Sequence, residues 1–385
     1  MRWPRDEAKL DRVRSLMAHE NLEALVVRAP DNVLYLTNFW PMKGYDAVVF
    51  PREGEPTLIC LEASEDDAAR MAWTSDVRFF AGYHPNDPRP PIARTLDLAR
   101  EAAREYDRVG LELTLGTQAS DRMVGEPTTF TRDWFDAFPN AVDATPLLVQ
   151  ARAKKTDQEI ERMRLANAIA AAAMEHVERE LQPGMKESEA AALWQGFVHG
   201  EGTGWDGKVD LALGYSLVWS GPGIRTFTAT GDRPVQEHEP TLFEIWVCAD
   251  GYWCDHTKNV CPGELSPQYE ELERALLDVY NDAVDSCRPG ADFAELDRSI
   301  RAGLADAGYA GQPTHPVCHG VGARAHEPPY AHQAGSGTMA PGLVLAIEPG
   351  VYWDGGGGLR VEDNFLITDD GAEKLSPYPD GIVRT

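Results

Sequence analysis

Apolar residues three and four apart over positions 5–20 mark one face of an amphipathic helix, after which the period changes. A short apolar strand is expected at 23–27, followed by the apolar run Asn32-Val-Leu-Tyr-Leu-Thr. Positions 46–50 and 56–61 flank Pro51-Arg-Glu-Gly-Glu and read as a hairpin. A helix is expected near 93–106 and a strand at 108–113. Strands and helices interleaved over about 150 residues predict an α/β domain of ordinary size.

The pattern changes near 149–157. Thr156 followed three residues later by Glu159 has the form of a capping box, and an Ala-rich helical stretch over 157–180 follows it. Pro183-Gly184 is a standard stop. Further helices are expected at 186–199, 267–287 and 293–307. Strands are expected at 211–219, 241–249, 252–260, 343–347 and 359–368. Helices set among long, mostly antiparallel strands predict an α+β second domain, giving domains at 1–150 and 151–385.

Composition narrows the class. A chain of 385 residues exceeds one ordinary core, and 43% hydrophobic with 25% charged residues is a globular mixture. No apolar run approaches the roughly 18 residues needed to span a bilayer, and none follows the N-terminus as a signal peptide would. A cytoplasmic protein is the expectation. The net charge of −26, from 36 basic and 62 acidic residues, repels nucleic acid and anionic membranes. Neither nucleic acid nor membrane is therefore expected as a partner. The six cysteines form no Cys-x-x-Cys pair, so reduced thiols are expected.

Candidate chemistry lies in the second domain. Glu244 falls in Leu242-Phe-Glu-Ile-Trp-Val, and Asp255 falls in Tyr252-Trp-Cys-Asp-His-Thr-Lys. A hairpin turning near Asp250-Gly251 would set the two carboxylates side by side. Glu244 alternates with Leu242 and Trp246, so it points inward from an apolar strand, where a carboxylate is costly unless paired or metal-bound. Next comes His315-Pro-Val-Cys-His-Gly-Val-Gly-Ala-Arg-Ala-His-Glu, which holds three of the ten histidines: His315, His319 and His326. Any one alone is more often a structural residue; three beside glycine and proline indicate a site. Glu348 ends the apolar run Leu343-Val-Leu-Ala-Ile, and Glu362 interrupts Leu359-Arg-Val-Glu-Asp-Asn-Phe-Leu-Ile. Four carboxylates and one imidazole can hold two divalent ions, typically about 3.5–4 Å apart, that deprotonate a bridging water and polarise a carbonyl. Oxygen-rich ligation with one nitrogen suits Mn²⁺ first, with Co²⁺, Fe²⁺ or Zn²⁺ as alternatives. Glu348 could take the water's proton, and neighbouring histidines could bind the carbonyl oxygen or the intermediate.

The order acid, Asp-His-Thr-Lys, His-Gly-Val-Gly with His-Glu-Pro, Ile-Glu-Pro-Gly and Arg-Val-Glu-Asp resembles the M24 (pita-bread) metallopeptidases. Within them it is most similar to the aminopeptidase P, prolidase and creatinase branch. The resemblance implies a pita-bread catalytic domain over about 150–385, preceded by a creatinase-like N-terminal α/β domain. It puts Asp255, His319, Glu348 and Glu362 at metal-ligand positions, with Glu348 also moving the proton. His315 and His326 would contact substrate and stabilise the intermediate, and Thr257 and Arg360 would support the ligands from behind. It also implies a homodimer acting next to proline. Two departures stand out. Glu244 replaces the usual aspartate, moving the carboxylate outward by about 1.5 Å. The stretch after Ser220-Gly221-Pro222 reads Gly-Ile-Arg-Thr-Phe-Thr-Ala-Thr-Gly-Asp-Arg, and no histidine occurs between His199 and His238 where the branch carries one.

Three functions compete. A Xaa-Pro dipeptidase or aminopeptidase with a dinuclear site and a metal-activated hydroxide comes first, because the ligand set is nearly intact. A creatinase-like hydrolase or lyase acting on a small non-peptide substrate comes second, favoured by the two departures and by Trp219 and Trp246 as floor of a pocket. A non-catalytic binding module comes last, since a binder has no need of four inward acids.

Overall fold

The computed structural model describes residues 3–41, 45–113, 128–225 and 228–385. The chain folds as two compact units, one through Arg152 and one from Ala153 to Thr385.

The first unit runs α1 (Glu7–His19), β1 (Ala24–Val27), α2 (Pro30–Thr37), β2 (Ala47–Pro51), β3 (Thr57–Leu61), α3 (Glu65–Met71), β4 (Asp76–Phe80), α4 (Pro91–Ala102), β5 (Val109–Leu111), α5 (Thr128–Ala137), β6 (Val142–Asp143) and α6 (Thr145–Ala153). Its sheet has the order β4-β3-β2-β1-β5-β6. The hairpin β2–β3 pairs Ala47 with Ile59 and Val49 with Thr57. Strand β1 is central and buried on both faces, which explains its unbroken apolar run. Leu25 and Val27 enter one core with Leu10, Val13 and Met17 of α1, whereas Ala24 and Val26 enter another with Ile92 and Ala99 of α4. The run 32–37 is helical, not an extension of the strand pattern. Pro30 stands in its first turn with Asp31, and Asn38 closes it in the left-handed conformation at φ 60°, its N–H bonded to the Leu34 carbonyl. All six residues 32–37 are buried, so the polar face that would advertise a helix is missing.

The second unit runs α7 (Asp157–Glu180), α8 (Glu187–Glu201), β7 (Ala212–Ser220), β8 (Thr241–Ala249), β9 (Tyr252–Cys261), α9 (Pro267–Ser286), α10 (Phe293–Asp306), β10 (Cys318–Gly320), β11 (Glu327–Tyr330), β12 (Val344–Ile347), β13 (Gly350–Tyr352), β14 (Gly358–Arg360), β15 (Asp363–Ile367), β16 (Ala372–Lys374) and β17 (Ile382–Arg384). Helix α7 opens on the predicted capping box: Thr156 Oγ1 accepts from the Glu159 N–H, and Glu159 Oε2 accepts from the Thr156 N–H. Two sheets form, β17-β9-β8-β7 and β11-β10-β12-β15-β16, with β13–β14 as a separate ribbon. Helices α9 and α10 supply Leu272, Leu276, Leu296 and Ile300 to a core shared with Leu345, Ile347, Phe365 and Ile367.

The single strand expected at 359–368 is two. The chain leaves β13 at Arg360, crosses Val361-Glu362, and joins β12 at Asp363 and β16 from Phe365. At the crossing Glu362 makes an isolated antiparallel bridge to Thr257. The change of partner breaks the strand, and it brings the two sheets together where the acids lie.

Candidate metal centre

Strand alternation sorts the residues of β9. Cys254 and His256 face α7, where His256 Nε2 lies 2.8 Å from Asn167 Oδ1 and Cys254 Sγ contacts the Ala166 carbonyl. Asp255 and Thr257 therefore project from the opposite face. The β8–β9 hairpin turns at Asp250-Gly251, both at positive φ, and pairs Glu244 with Thr257 and Trp246 with Asp255. Glu244 and Asp255 share that face, but as diagonal neighbours, not directly opposite partners.

The second sheet brings the remaining groups. His319 sits on β10, paired with Ala346 of β12, and Glu348 follows the end of β12. The glycines after His319 are there for space. A side chain on Gly320 would meet the Glu327 and Pro328 carbonyl oxygens at 2.7 Å, and one on Gly322 would overlap the Glu327 carboxylate. That carboxylate is bound to the buried Lys155 ammonium at 2.8 Å.

His319 Nε2 lies 3.6 Å from Asp255 Oδ2, 3.6 Å from Glu348 Oε1 and 3.9 Å from Glu362 Oε1. Its Nδ1 lies 3.0 Å from its neighbour's carbonyl, at Gly320, which assigns the proton to Nδ1 and leaves a lone pair on Nε2. The lone pair thus faces three carboxylates. His319 Nε2 and Asp255 Oδ2 are both buried without a hydrogen-bond partner among the described residues. Burial pushes His319 down to about 4, favouring the neutral ring. Burial, then the neighbouring Glu362, pushes Asp255 and Glu348 well above the ordinary carboxylate range. Burial raises Glu362 to about 7 against the opposing pull of Arg360. A neutral imidazole and several crowded acids lack a positive charge at their centre, and a divalent cation fits that need. Two sets of ligand atoms lie within 4.8 Å of one another: Asp255, His319 and His326, and His319, Glu348 and Glu362.

Glu244 is in neither set. Its Oε2 lies 2.6 Å from Arg360 Nη2. Arg360 Nε donates to Thr257 Oγ1 at 2.6 Å, and Thr257 donates to Glu362 Oε2 at 2.7 Å. Thr257 and Arg360 thus stand behind the acids as a relay. His315 lies at the edge: its Nδ1 is 2.6 Å from the Pro316 carbonyl and its Nε2 3.0 Å from the Tyr352 hydroxyl. Burial and then Arg360 push His315 down to about 3. His326 stacks on His319 with ring centres 4.2 Å apart, and its Nε2 is 3.4 Å from Asp255 Oδ2. Burial, then His319, lowers His326 to about 2.

Trp246 tilts against His326, with ring centres 6.3 Å apart. Trp219 packs with Ile224, Leu242 and the ring of Tyr352. In the stretch after Ser220-Gly221-Pro222, Thr226 and Phe227 lie outside the described residues, and Arg225 Nη2 approaches Gly356.

Two contributors escaped the sequence reading. Tyr352 joins His315 to Arg360, its hydroxyl lying 3.5 Å from Arg360 Nη1, but a tyrosine in a short apolar strand carries no sign of this. Asn364 brackets the backbone of Asp255, accepting from its N–H and donating to its carbonyl. Its signal was present, as a second polar residue inside an otherwise apolar strand.

The family profile for metallopeptidase family M24 matches residues 161–369, and that for the creatinase/prolidase N-terminal domain matches residues 9–165. The chain is 24% identical over 379 residues to a putative dipeptidase, YkvY, of Bacillus subtilis (strain 168), covering 97% of this chain and 99% of the relative. It is 25% identical over 374 residues to a Xaa-Pro dipeptidase of Lactobacillus delbrueckii subsp. lactis, covering 94% and 95%. Its fold is similar to that of the prolidase from Pyrococcus horikoshii OT3, with a TM-score of 0.80 at 22% identity, covering 97% and 99%.

Proposed function

This chain belongs to metallopeptidase family M24, and we propose that it hydrolyses short peptides at the bond preceding proline. The observation that carries the reading is the buried His319 Nε2, turned with its lone pair toward Asp255, Glu348 and Glu362 and left without a hydrogen-bond partner. The Xaa-Pro dipeptidase among its full-length relatives supports the substrate class.

In this reading Asp255, His319, Glu348 and Glu362 hold divalent ions, with Glu244 at the margin of a two-ion site. Mn²⁺ is the first choice for an oxygen-rich set with one nitrogen, ahead of Co²⁺, Fe²⁺ and Zn²⁺. When bound, such ions supply the Lewis acidity that acidifies water and polarises a carbonyl. Glu348 is the proton carrier, because it is the least buried of the four, 9% exposed against 1–2% for the others, and so is the one a water can reach. Burial holds His315 and His326 neutral; His326 can give its one N–H to a developing negative oxygen without bringing a competing cation, whereas His315, its N–H taken by the Pro316 carbonyl, meets the substrate with an accepting Nε2 beside the Tyr352 hydroxyl. Thr257 and Arg360 hold Glu362 in place. The protein acts in the cytoplasm as a homodimer.

A second reading, hydrolysis of a small non-peptide substrate, rests on the absence of any histidine between His199 and His238. A panel of Xaa-Pro dipeptides, longer Xaa-Pro peptides and small amidines, assayed with Mn²⁺, separates the two. Turnover of the dipeptides, abolished in Glu348→Ala, is the expected result. Metal-loaded protein that cleaves no peptide would overturn the first reading in favour of the second.

A further inference from the structure

One carboxylate outside the metal centre ties down the connection between β7 and β8. Glu187 opens α8, is buried, and accepts two backbone N–H groups from separate points on that connection: Ser220 at 3.0 Å and Gly231 at 3.1 Å. The start of the helix bonds back. The Glu187 and Ser188 N–H groups, which an α-helix leaves without internal partners, donate to the Arg233 and Gly231 carbonyls at 2.8 and 3.1 Å. The connection leaves space for the carboxylate. A Cβ on Gly223 would overlap Glu187 Oε1, and one on Gly231 would lie 3.3 Å from Oε2. Gly223 is not at positive φ, so its missing side chain makes room and meets no backbone need.

What this clamp holds lies beside the acids. Leu217 pairs with Glu244 and Trp219 with Leu242, which puts Leu217 and Trp219 on the strand face that carries Glu244. Ile224, fully buried, packs there against Trp219 and Leu242, with the ring of Tyr352 at the edge. The Ile224 carbonyl accepts from the Gly357 N–H at 3.3 Å, in the turn between β13 and β14. Tyr352 has an anchor of its own: Gln312 accepts from its N–H at 3.4 Å and donates to its carbonyl at 2.8 Å. Asp255 and Glu362 are likewise held from elsewhere, by Asn364 and Thr257. The clamp therefore supports the wall beside the reacting groups and not those groups themselves.

Resting on the peptidase reading above, we propose that Glu187 is a positioning residue. Through Ser220 and Gly231 it holds Ile224 in place as one wall of the substrate pocket. It thereby sets substrate affinity while touching neither substrate nor metal ligand.

Two variants attack the clamp from its two sides. Glu187→Gln keeps the length of the side chain but turns an NH₂ group onto one of the two N–H donors. Gly223→Ala keeps the carboxylate and pushes it aside. Each full-length variant, loaded with Mn²⁺, is assayed on whichever substrate of the panel above the natural protein turns over. kcat/KM should fall by about 10–100-fold, the upper end being the cost of a misplacement near 1 Å. The loss should lie in KM, with kcat within about 2-fold, as for a contact made equally in ground and transition states. Mn²⁺ affinity should not change. The double variant should be no worse than the poorer single one, because both break the same clamp. A merely structural role would lower the urea midpoint and leave KM alone. Unchanged KM in the folded variants, or a loss confined to kcat, would overturn the proposal and leave the peptidase reading standing. Additive losses in the double variant would also overturn it, since Gly223 would then act apart from Glu187. No turnover of any panel substrate by the Mn²⁺-loaded natural protein would overturn the peptidase reading itself, and the proposal with it.

Discussion

Asn364 clasps the backbone of Asp255: its Oδ1 accepts from the Asp255 N–H at 3.0 Å, and its Nδ2 donates to the Asp255 carbonyl at 2.8 Å. The amide replaces ladder bonds that β9 cannot make with β15, and so sets the height of the Asp255 carboxylate over His319. Asn364→Leu keeps the volume and strands a buried N–H and C=O. A stability loss of about 1–3 kcal/mol is expected. Mn²⁺ affinity should fall by about 10–100-fold, because a ligand loses its support. Isothermal titration and denaturant unfolding measure both. Unaltered affinity in a folded variant would show that Asp255 is placed by the sheet alone.

The Lys155–Glu327 pair sits beneath the glycines that follow His319, with 1% and 5% of the side chains exposed. Breaking such a pair from one side leaves an uncompensated charge. Lys155→Met should cost about 3–5 kcal/mol, whereas Lys155→Met combined with Glu327→Leu should recover most of the loss. The urea midpoints of the two single variants and the double variant complete the cycle. Additive losses would mean that the two charges are not coupled.

How much of this was written in the sequence depends on range. Local signals carried well: the Thr156–Glu159 box, the Asp250-Gly251 turn and the 9-residue strand Thr241–Ala249 all appear in the fold. The run 32–37 did not, because a short helix buried all round has no polar face to set its period. The break at Val361-Glu362 was invisible, since it arises when the chain exchanges one strand partner for another. The same limit hid the Glu244–Arg360 pair. Each residue could be flagged as an inward charge, but their meeting depends on where the β13–β14 ribbon packs against β8.

Asp46, in the first unit, offers a pH test of its own. It is buried, accepts the Leu61 N–H at 3.1 Å, and is raised to about 6 by burial, which outweighs that hydrogen bond. Its folded value lies above its unfolded one, so the folded state binds the extra proton between about pH 4 and 6. This residue's contribution to stability therefore falls as pH rises through that window, leaving a cost on the order of 2–3 kcal/mol at pH 7. Asp46→Asn keeps an acceptor for Leu61 and removes the charge. The variant should be more stable than the natural protein at pH 7, and the difference should vanish near pH 4. An equal difference at both pH values would rule out the buried charge as its cause.

Removing divalent ions should loosen the unit from Ala153 to Thr385 about as much as breaking the Lys155–Glu327 pair. Asp255, Glu348 and Glu362 lie together in the interior, with His319 offering them a lone pair and no proton. Without a cation that arrangement raises the free energy of the folded state alone, since the unfolded chain spreads the same acids through water. A ligand at about a thousand times its dissociation constant adds roughly 4 kcal/mol to unfolding. For a unit of this size that is a shift in Tm on the order of 10 °C. Calorimetry before and after chelation, then with Mn²⁺ restored, reads the shift directly. Mg²⁺ should restore less, because it demands oxygen-only octahedral ligation and the centre presents an imidazole nitrogen. Identical melting with and without Mn²⁺ would mean that the acids are neutralised by protons instead, and that the cavity was built to hold no ion.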